Sequence, residues 1–169
     1  MSMYYFYFDA SALVKRYTDE VGSDEVDFIF ANVPLERMNC LILGAVEVFW
    51  ICVRKRNDGR ITHNHFTQAT RYLEQEVIDT NSEFKTISIP DTLVLNSMPL
   101  IENHSINSVD AIVLRSSLDI ATELRNTGNR LVLVASDQRL LRAAQTEGML
   151  VFNPEIDSQQ TLTDWITHI

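Results

Sequence analysis

Short apolar runs alternate with segments of helical periodicity along this chain, and this alternation limits the possible folds more than any other feature. The apolar runs predict strands over residues 4–8, 38–43, 84–89, 130–135 and 149–152. Helical spacing predicts helices from Ala10, across 26–33, and over 44–56, 62–80, 91–103, 109–125 and 137–147. Strands that alternate with helices favour an α/β fold, here a three-layer α/β/α sandwich around a mostly parallel central sheet.

Length, charge and cysteine usage narrow the class of protein. A chain of 169 residues suits one domain over 1–169. The net charge of −9 argues against a nucleic-acid coat protein, although a local basic patch could still bind RNA. Cys40 and Cys52 sit in apolar segments and are interpreted as reduced core residues. No signal-peptide pattern and no membrane-length apolar run is present, so we expect a cytoplasmic protein with no membrane partner.

Four acidic residues occupy positions that a parallel sheet would bring together. Asp9 directly follows the strand 4–8, and Asp137 lies two residues beyond the strand 130–135. Asp110 falls in the first turn of a predicted helix, and Glu47 stands among apolar residues near the start of another. In α/β folds the carboxyl ends of the strands and the starts of the following helices share one edge of the sheet. We therefore expect the four carboxylates to converge there.

Each acid also has a purely structural explanation, although the explanation for Glu47 is weaker than those for the three aspartates. An Asp after a strand can cap the next helix, and the helix dipole favours an acid in a first turn. Burying Glu47 would cost several kcal/mol or so without a partner, and the nearest basic residue, Arg54, is seven positions away. Converging carboxylates repel one another unless a divalent cation neutralises them, and an oxygen-only ligand set suits Mg²⁺ or Mn²⁺.

The order of four sequence blocks around these acids resembles the PIN domain family, and within it the VapC-type toxins of bacterial type II toxin–antitoxin pairs. The blocks are FDASALVKRY at 8–17, LILGAVEVFWICVRK at 41–55, SVDAIVLRSSL at 108–118 and LVLVASDQRLLRAAQTEGMLVFNP at 131–154. The first block matches the family's opening strand and D-[TAS]-S-A-L-V-K motif. The match spans residues 4–154, and the blocks come in the family's order.

The resemblance implies a metal-dependent endoribonuclease that cleaves RNA phosphodiester bonds with Mg²⁺ or Mn²⁺. It assigns the catalytic and metal-binding roles to the acidic quartet Asp9, Glu47, Asp110 and Asp137. Ser11 matches the hydroxyl residue that orients the first Asp, and Ser136 matches a Ser/Thr position beside the fourth acid. Ser11 could instead be an ordinary helix-start residue, and Ser136 a helix N-cap. The resemblance further implies an antitoxin protein partner and a homodimer.

An RNA substrate would need local positive charge. Lys15 and Arg16 directly follow the first motif and are the preferred RNA-contacting residues. The other basic candidates are Arg54, Lys55, Arg56, Arg139 and Arg142. Basic residues at 54–56 would also complement the dipole at the end of a helix. Tyr4, Tyr5, Tyr7 and Trp50 are expected in the core rather than as platforms for base stacking.

Two other classes of protein compete with the nuclease. A non-catalytic PIN-like module that binds protein or RNA would have no need for all four acids. A phosphoryl-accepting receiver would carry paired acids after its first strand, but the nearest such pair is Asp19-Glu20. A haloacid-type phosphatase would carry D-x-D, whereas Asp9 is followed by Ala10 and Ser11. The receiver and the phosphatase therefore fit poorly.

Overall fold

A sheet of five parallel strands forms the centre of the protein. The computed structural model describes residues 2–167. The strands are β1 (Tyr4–Phe8), β2 (Met38–Leu41), β3 (Lys85–Ile87), β4 (Arg130–Val134) and β5 (Leu150–Phe152). Their order across the sheet is β3-β2-β1-β4-β5, and all four neighbouring pairs are parallel. This arrangement confirms the predicted α/β class with its parallel sheet.

The register of the central strands fixes which residues leave the sheet side by side. Phe8, the last residue of β1, lies opposite Cys40 in β2 and Val134 in β4. The backbone N–H of Asp9 donates to the carbonyl oxygen of Val134 at 2.9 Å, so the pairing with β4 continues one residue beyond the strand. The chain after β1 and the chain after β4 therefore start from adjacent points at the carboxyl edge.

Helices cover both faces of the sheet. They are α1 (Ala10–Leu13), α2 (Ser23–Asn32), α3 (Ile42–Asn57), α4 (His63–Leu73), α5 (Asp91–Asn96), α6 (Met98–His104), α7 (Ser108–Asn126), α8 (Gln138–Thr146) and α9 (Gln159–Thr167). Side chains of β1 alternate between the two faces: Phe6 and Phe8 pack with α1–α4 and α9, and Tyr7 packs with α5–α8. Two hydrophobic cores thus flank the sheet, which confirms the predicted three layers.

Several predicted boundaries differ from the structure for identifiable reasons. The helix predicted over 109–125 begins at Ser108, and its N-cap is Asn107, whose side chain accepts the N–H of Asp110. The single helix predicted over 91–103 is divided at Ser97 into α5 and α6, and Pro99 stands in the first turn of α6, where its missing N–H costs little. The long helix predicted over 62–80 is α4 followed by a wider helical turn at Glu74–Ile78.

The prediction that Trp50 lies in the core is wrong, because one face of α3 is exposed. Trp50, expected in the core, is 56% exposed, and Val46 is 58% exposed. Ile42 and Phe49 are exposed on the same helix. Apolar residues therefore occupy both faces of this helix, since Val48 and Cys52 on the inner face are fully buried.

The two cysteines lie in the core. Cys40 and Cys52 are buried free thiols, as predicted, and burial raises the pKa of both. Within residues 2–167, no helix is both long and apolar enough to cross a membrane.

Candidate functional site

Asp9 is a buried carboxylate at the carboxyl edge of the sheet. Its side chain is only 8% exposed. The backbone N–H of Ser11 donates to Oδ2 of Asp9 at 3.1 Å, and the Ser11 hydroxyl donates to the same oxygen at 2.5 Å. Asp9 therefore caps α1, as the structural explanation for this residue required. Capping alone does not explain its burial, because most caps satisfy a helix end at the surface.

Ser11 connects Asp9 to the turn that carries the fourth acid. The backbone N–H of Ser136 donates to Oγ of Ser11 at 3.0 Å, while that same hydroxyl donates to Asp9. Ser136 is therefore tied to Asp9 through one hydroxyl. The Ser136 Oγ is itself buried and has no hydrogen-bond partner within the described part of the chain. Ser136 is also not the N-cap of α8, a position that Asp137 takes.

Asp137 and Asp110 lie at the starts of α8 and α7. Oδ1 of Asp137 accepts the N–H groups of Arg139 at 2.8 Å and Leu140 at 3.1 Å. The side-chain N–H of Asn107 donates to Oδ2 of Asp110 at 2.8 Å, and its oxygen accepts the Asp110 N–H at 2.9 Å. Asp110 and Asp137 line the same surface cavity of about 370 Å³. The structure thus brings these two predicted site residues together.

Glu47 is half-buried near the start of α3 and makes no ion pair among residues 2–167. Burial raises its pKa, and the negative charges of Asp9 and Asp110 raise it further. The charges that act on Glu47 therefore come from other acids. No basic residue within 2–167 forms the ion pair that a buried glutamate would need.

The four acids form one electrostatic unit. Burial raises the pKa of Asp9, the hydrogen bonds from Ser11 oppose this shift, and the charge of Asp137 adds to it. Burial together with the charges of Asp9 and Asp137 raises the pKa of Asp110 to about 6, against the opposing hydrogen bond from Asn107. Each shift reports a carboxylate whose charge is poorly compensated by the protein alone. Such a cluster attracts cations.

The donor chemistry of the cluster fits a hard divalent cation that keeps part of its water shell. All the converging side chains offer oxygen, and an orphaned buried hydroxyl at Ser136 Oγ is the kind of group that an ordered water satisfies. Residues 2–167 contain no group of three or more His, Cys, Asp or Glu side chains that could hold a metal ion in the observed conformation. The arrangement is therefore unlike a closed structural metal site, in which side chains alone complete the coordination.

Lys15 and Arg16, the preferred RNA-contacting residues, are occupied elsewhere. The Lys15 ammonium is buried and donates to Glu20 and to Glu155, both at 2.8 Å. Arg16 pairs with Asp27 at 2.8 Å and Glu76 at 3.0 Å. The prediction for Lys15 does not fit this placement, because a phosphate could reach its ammonium only by displacing two carboxylates from a buried network. Arg16 retains partial exposure, but both of its ion pairs are within the protein.

Asn107 is the site residue that sequence reasoning missed. It holds Asp110 from two sides, through the backbone and through the carboxylate. The available signal was the spacing N-x-x-D at 107–110. This spacing resembles a capping box, in which the N-cap side chain and the residue three positions on bond reciprocally.

The fold is similar to those of solved structures that share little sequence with this chain. FitAB bound to the IR36 DNA fragment has a TM-score of 0.62 and 11% identity, covering 90% of this chain and 97% of the other. FitAcB from Neisseria gonorrhoeae has a TM-score of 0.60 and 12% identity, covering 90% and 99%. PAE2754 from Pyrobaculum aerophilum has a TM-score of 0.60 and 21% identity, with both chains covered in full. The sequence matches no protein-family model and no curated protein. The chain therefore shares the overall fold of these proteins.

Replacing Ser11 tests the link between Asp9 and Ser136. Ser11→Ala removes a hydrogen bond to a buried carboxylate and leaves the Ser136 N–H without its acceptor, so we expect the free energy of unfolding to fall by about 2 kcal/mol. Chemical denaturation measures this change. Ser136→Ala is the matched control, because its hydroxyl has no partner, and its effect should stay within about 0.5 kcal/mol. Equal losses in the two variants would contradict the proposed link.

The raised pKa of Asp110 predicts a pH-dependent difference between the wild type and Asp110→Asn. The folded protein holds the Asp110 proton more tightly than the unfolded chain, so ionisation of this group lowers the free energy of unfolding as pH rises from about 4 to about 6. In EDTA, Asp110→Asn should gain stability relative to the wild type across this range and keep the gain at pH 7. Urea denaturation at several pH values measures the difference, and a constant difference would show that Asp110 is not electrostatically strained.

Proposed function

We propose that the protein is a metal-dependent endoribonuclease that cleaves RNA phosphodiester bonds, and that it is the toxin of a type II toxin–antitoxin pair. The observation that carries this proposal is the cluster of Asp9, Glu47, Asp110 and Asp137 at the carboxyl edge of the sheet. Within it, burial and the charges of neighbouring acids raise the pKa of Asp9, Glu47 and Asp110. The similarity to toxin-type PIN folds supports the class of protein.

The acidic quartet would hold Mg²⁺ or Mn²⁺. When bound, such an ion supplies a more acidic water and neutralises charge on the phosphodiester. Two hydrogen bonds from Ser11 to Oδ2 hold the Asp9 carboxylate in place. Asn107 orients Asp110 in the same manner. The proposed roles of Ser11 and Asn107 are therefore to hold ligands in place, without contact with RNA.

The raised pKa of Asp110 implies competition between protons and a metal ion at this carboxylate. Burial and the charges of Asp9 and Asp137 raise the pKa of Asp110 to about 6. A bound cation would lower this pKa, since a nearby positive charge favours the ionised form. Protonation of Asp110 would therefore weaken metal binding as the pH falls through about 6.

A protein partner forms part of the proposal. The outer face of α3 exposes Ile42, Val46, Phe49 and Trp50, which are spaced for one side of a helix. Contiguous exposed apolar side chains mark interaction surfaces. Glu47 lies on the same helix, so a partner seated on this face would lie next to the acids. We propose that the antitoxin binds here, and that the chain also forms the homodimer implied by the resemblance.

A non-catalytic PIN-like module that binds RNA or protein is the second candidate. One observation favours it: residues 2–167 hold no ready-made group of three metal-ligating side chains. A hydrated cation bound by one or two carboxylates and the substrate would meet this objection, because Mg²⁺ keeps several of its waters in many enzyme sites. The two candidates differ in whether cleavage requires the metal and the acids.

Nuclease activity should depend on both the metal and the acids. The purified chain should cleave a structured RNA with Mn²⁺ or Mg²⁺ and not in EDTA. Asp9→Asn and Asp110→Asn should each lose about 100-fold or more of the rate, the scale expected when groups that stabilise transition-state charge are removed. Gel analysis of end-labelled RNA measures the rate, and circular dichroism confirms that both variants are folded.

Two results would overturn the nuclease assignment. One is cleavage that persists in both variants, which would identify a contaminating enzyme. The other is cleavage that proceeds without metal. Calorimetric titration of Mn²⁺ provides a second readout that is independent of activity. Heat equal to that of an Asp9→Asn/Asp110→Asn double variant would favour the non-catalytic module.

The partner surface predicts the behaviour of α3 variants. Phe49→Ser/Trp50→Ser should abolish binding of the small protein encoded beside this chain's gene, because the change removes two large apolar contacts. Leu95→Ser/Met98→Ser is the matched control, since Leu95 and Met98 are apolar residues on α5 and α6 that are at least as exposed as Phe49 and Trp50. Analytical ultracentrifugation measures complex formation and gives the mass of the chain alone. A mass of 19.4 kDa at all concentrations would rule out the homodimer.

A further inference from the structure

Two arginines that form no ion pair among residues 2–167 stand directly beside the acidic cluster. Arg139 and Arg142 line the cavity of about 370 Å³ that also contains Asp110 and Asp137. They also line a second cavity of about 710 Å³, whose other wall is the end of α6 at His104 and Ser105. The two cavities are adjacent, because both arginines line each of them. We treat them together as one groove. We call it the α6–α8 groove.

The arginines are fixed by the architecture of α8. Asp137 caps the helix by accepting the N–H of Arg139, which sets the distance between this arginine and the acid. Arg139, Arg142 and Thr146 are spaced for one side of the helix, and all three are exposed. Leu140 and Ala144 on the opposite side are fully buried. Packing therefore holds the basic side of α8 against the groove.

Neither arginine is neutralised by the protein. Among residues 2–167, Arg139 and Arg142 form no ion pair, although Asp110 and Asp137 line the same cavity. Arg142 makes one hydrogen bond, from Nε to the carbonyl oxygen of Gln138. Glu147, the acid beyond the end of α8, is engaged with His104 at 2.6 Å. The guanidinium groups thus remain available to an external anion.

We propose that the α6–α8 groove binds the sugar–phosphate backbone of single-stranded RNA, with Arg139 and Arg142 each contacting a phosphate next to the scissile bond. This inference rests on the proposed nuclease function, because it concerns the substrate of the same site. Guanidinium groups bind phosphate oxygens bidentately, which suits a site that must place a backbone precisely beside fixed carboxylates. The groove gives the substrate a direction, from the acids towards the end of α6.

The opposite edge of the sheet provides a matched control. Arg125 and Arg130 line a cavity of about 400 Å³ at the start of β4, far along the strand from the acids. They also form no ion pair among the described residues. Replacing either arginine pair by glutamine removes two positive charges. A difference in RNA binding between the two double variants therefore reflects the position of the arginines and not the change in net charge.

The test measures binding of a short fluorescently labelled single-stranded RNA by anisotropy, with Mg²⁺ present and in an Asp9→Asn background that prevents cleavage. Adding Arg139→Gln/Arg142→Gln should weaken binding about tenfold or more, as expected for two charge-assisted contacts. The slope of log affinity against log salt should become shallower by about 1.4, which is 0.7 for each lost phosphate contact on a single strand. Arg125→Gln/Arg130→Gln should change binding by less than about twofold. Equal effects of the two pairs, or no effect of the first, would overturn the proposal.

Kinetics in the otherwise wild-type chain separates this proposal from the nuclease assignment. The Arg139→Gln/Arg142→Gln variant should raise KM with a smaller change in kcat, because the contacts position the substrate. A wild type that cleaves RNA while this variant keeps its KM and affinity would sink the groove and leave the nuclease intact. If the wild type does not cleave RNA but the Arg139→Gln/Arg142→Gln variant binds RNA more weakly than the wild type, the nuclease assignment is wrong. The groove then remains an RNA-binding site.

Discussion

The hydrogen bonds that hold the buried Asp9 carboxylate are the interactions on which the rest of this site depends. A carboxylate that is 8% exposed is costly unless it is paired or hydrogen-bonded. Here the compensation comes from the Ser11 backbone and hydroxyl, and no cation of the protein contributes an ion pair within residues 2–167. The compensation is incomplete, because the pKa of Asp9 remains raised. The central strand β1 therefore delivers a charge that the fold only partly neutralises.

The parallel register explains why the other acids gather around that charge. Pairing of β1 with β4 places the end of one strand against the end of the other, and the Ser11 hydroxyl then joins the two following turns. Asp137 lies one residue beyond this junction. Each of the helices α3, α7 and α8 starts at the same edge, so an acid in its first turns points its charge at its neighbours. The dipoles of these helix starts favour the ionised acids, but the raised pKa of Asp110 shows that repulsion and burial outweigh them.

Residues near β1 show how much of this could be predicted from sequence. The strand, the turn at Asp9 and the parallel order follow from apolar runs and helical periodicity, which depend on local pattern. The positions of the four acids follow from the same topology. Lys15 could not be placed this way, because its partners Glu20 and Glu155 are five and 140 residues away, and no local pattern specifies the second contact. The prediction for Trp50 was wrong for a different reason. An apolar residue on a helix has the same sequence pattern whether it faces the core or an exposed interaction surface.

The distribution of positive charge explains how an acidic protein could still bind a polyanion. The net charge is −9. Several basic residues near the first motif form ion pairs with acids of the same chain, including Lys15, Lys55 and Arg16. Those networks serve stability, since Lys15 keeps its charge in spite of burial: desolvation lowers its pKa, and the bonds to Glu155 and Glu20 raise it by more. The arginines of α8 differ, because among residues 2–167 no acid forms an ion pair with them. In the proposed site these cations would place a phosphate and the acids would hold the metal ion, so attraction of a polyanion would be confined to the groove where both are present.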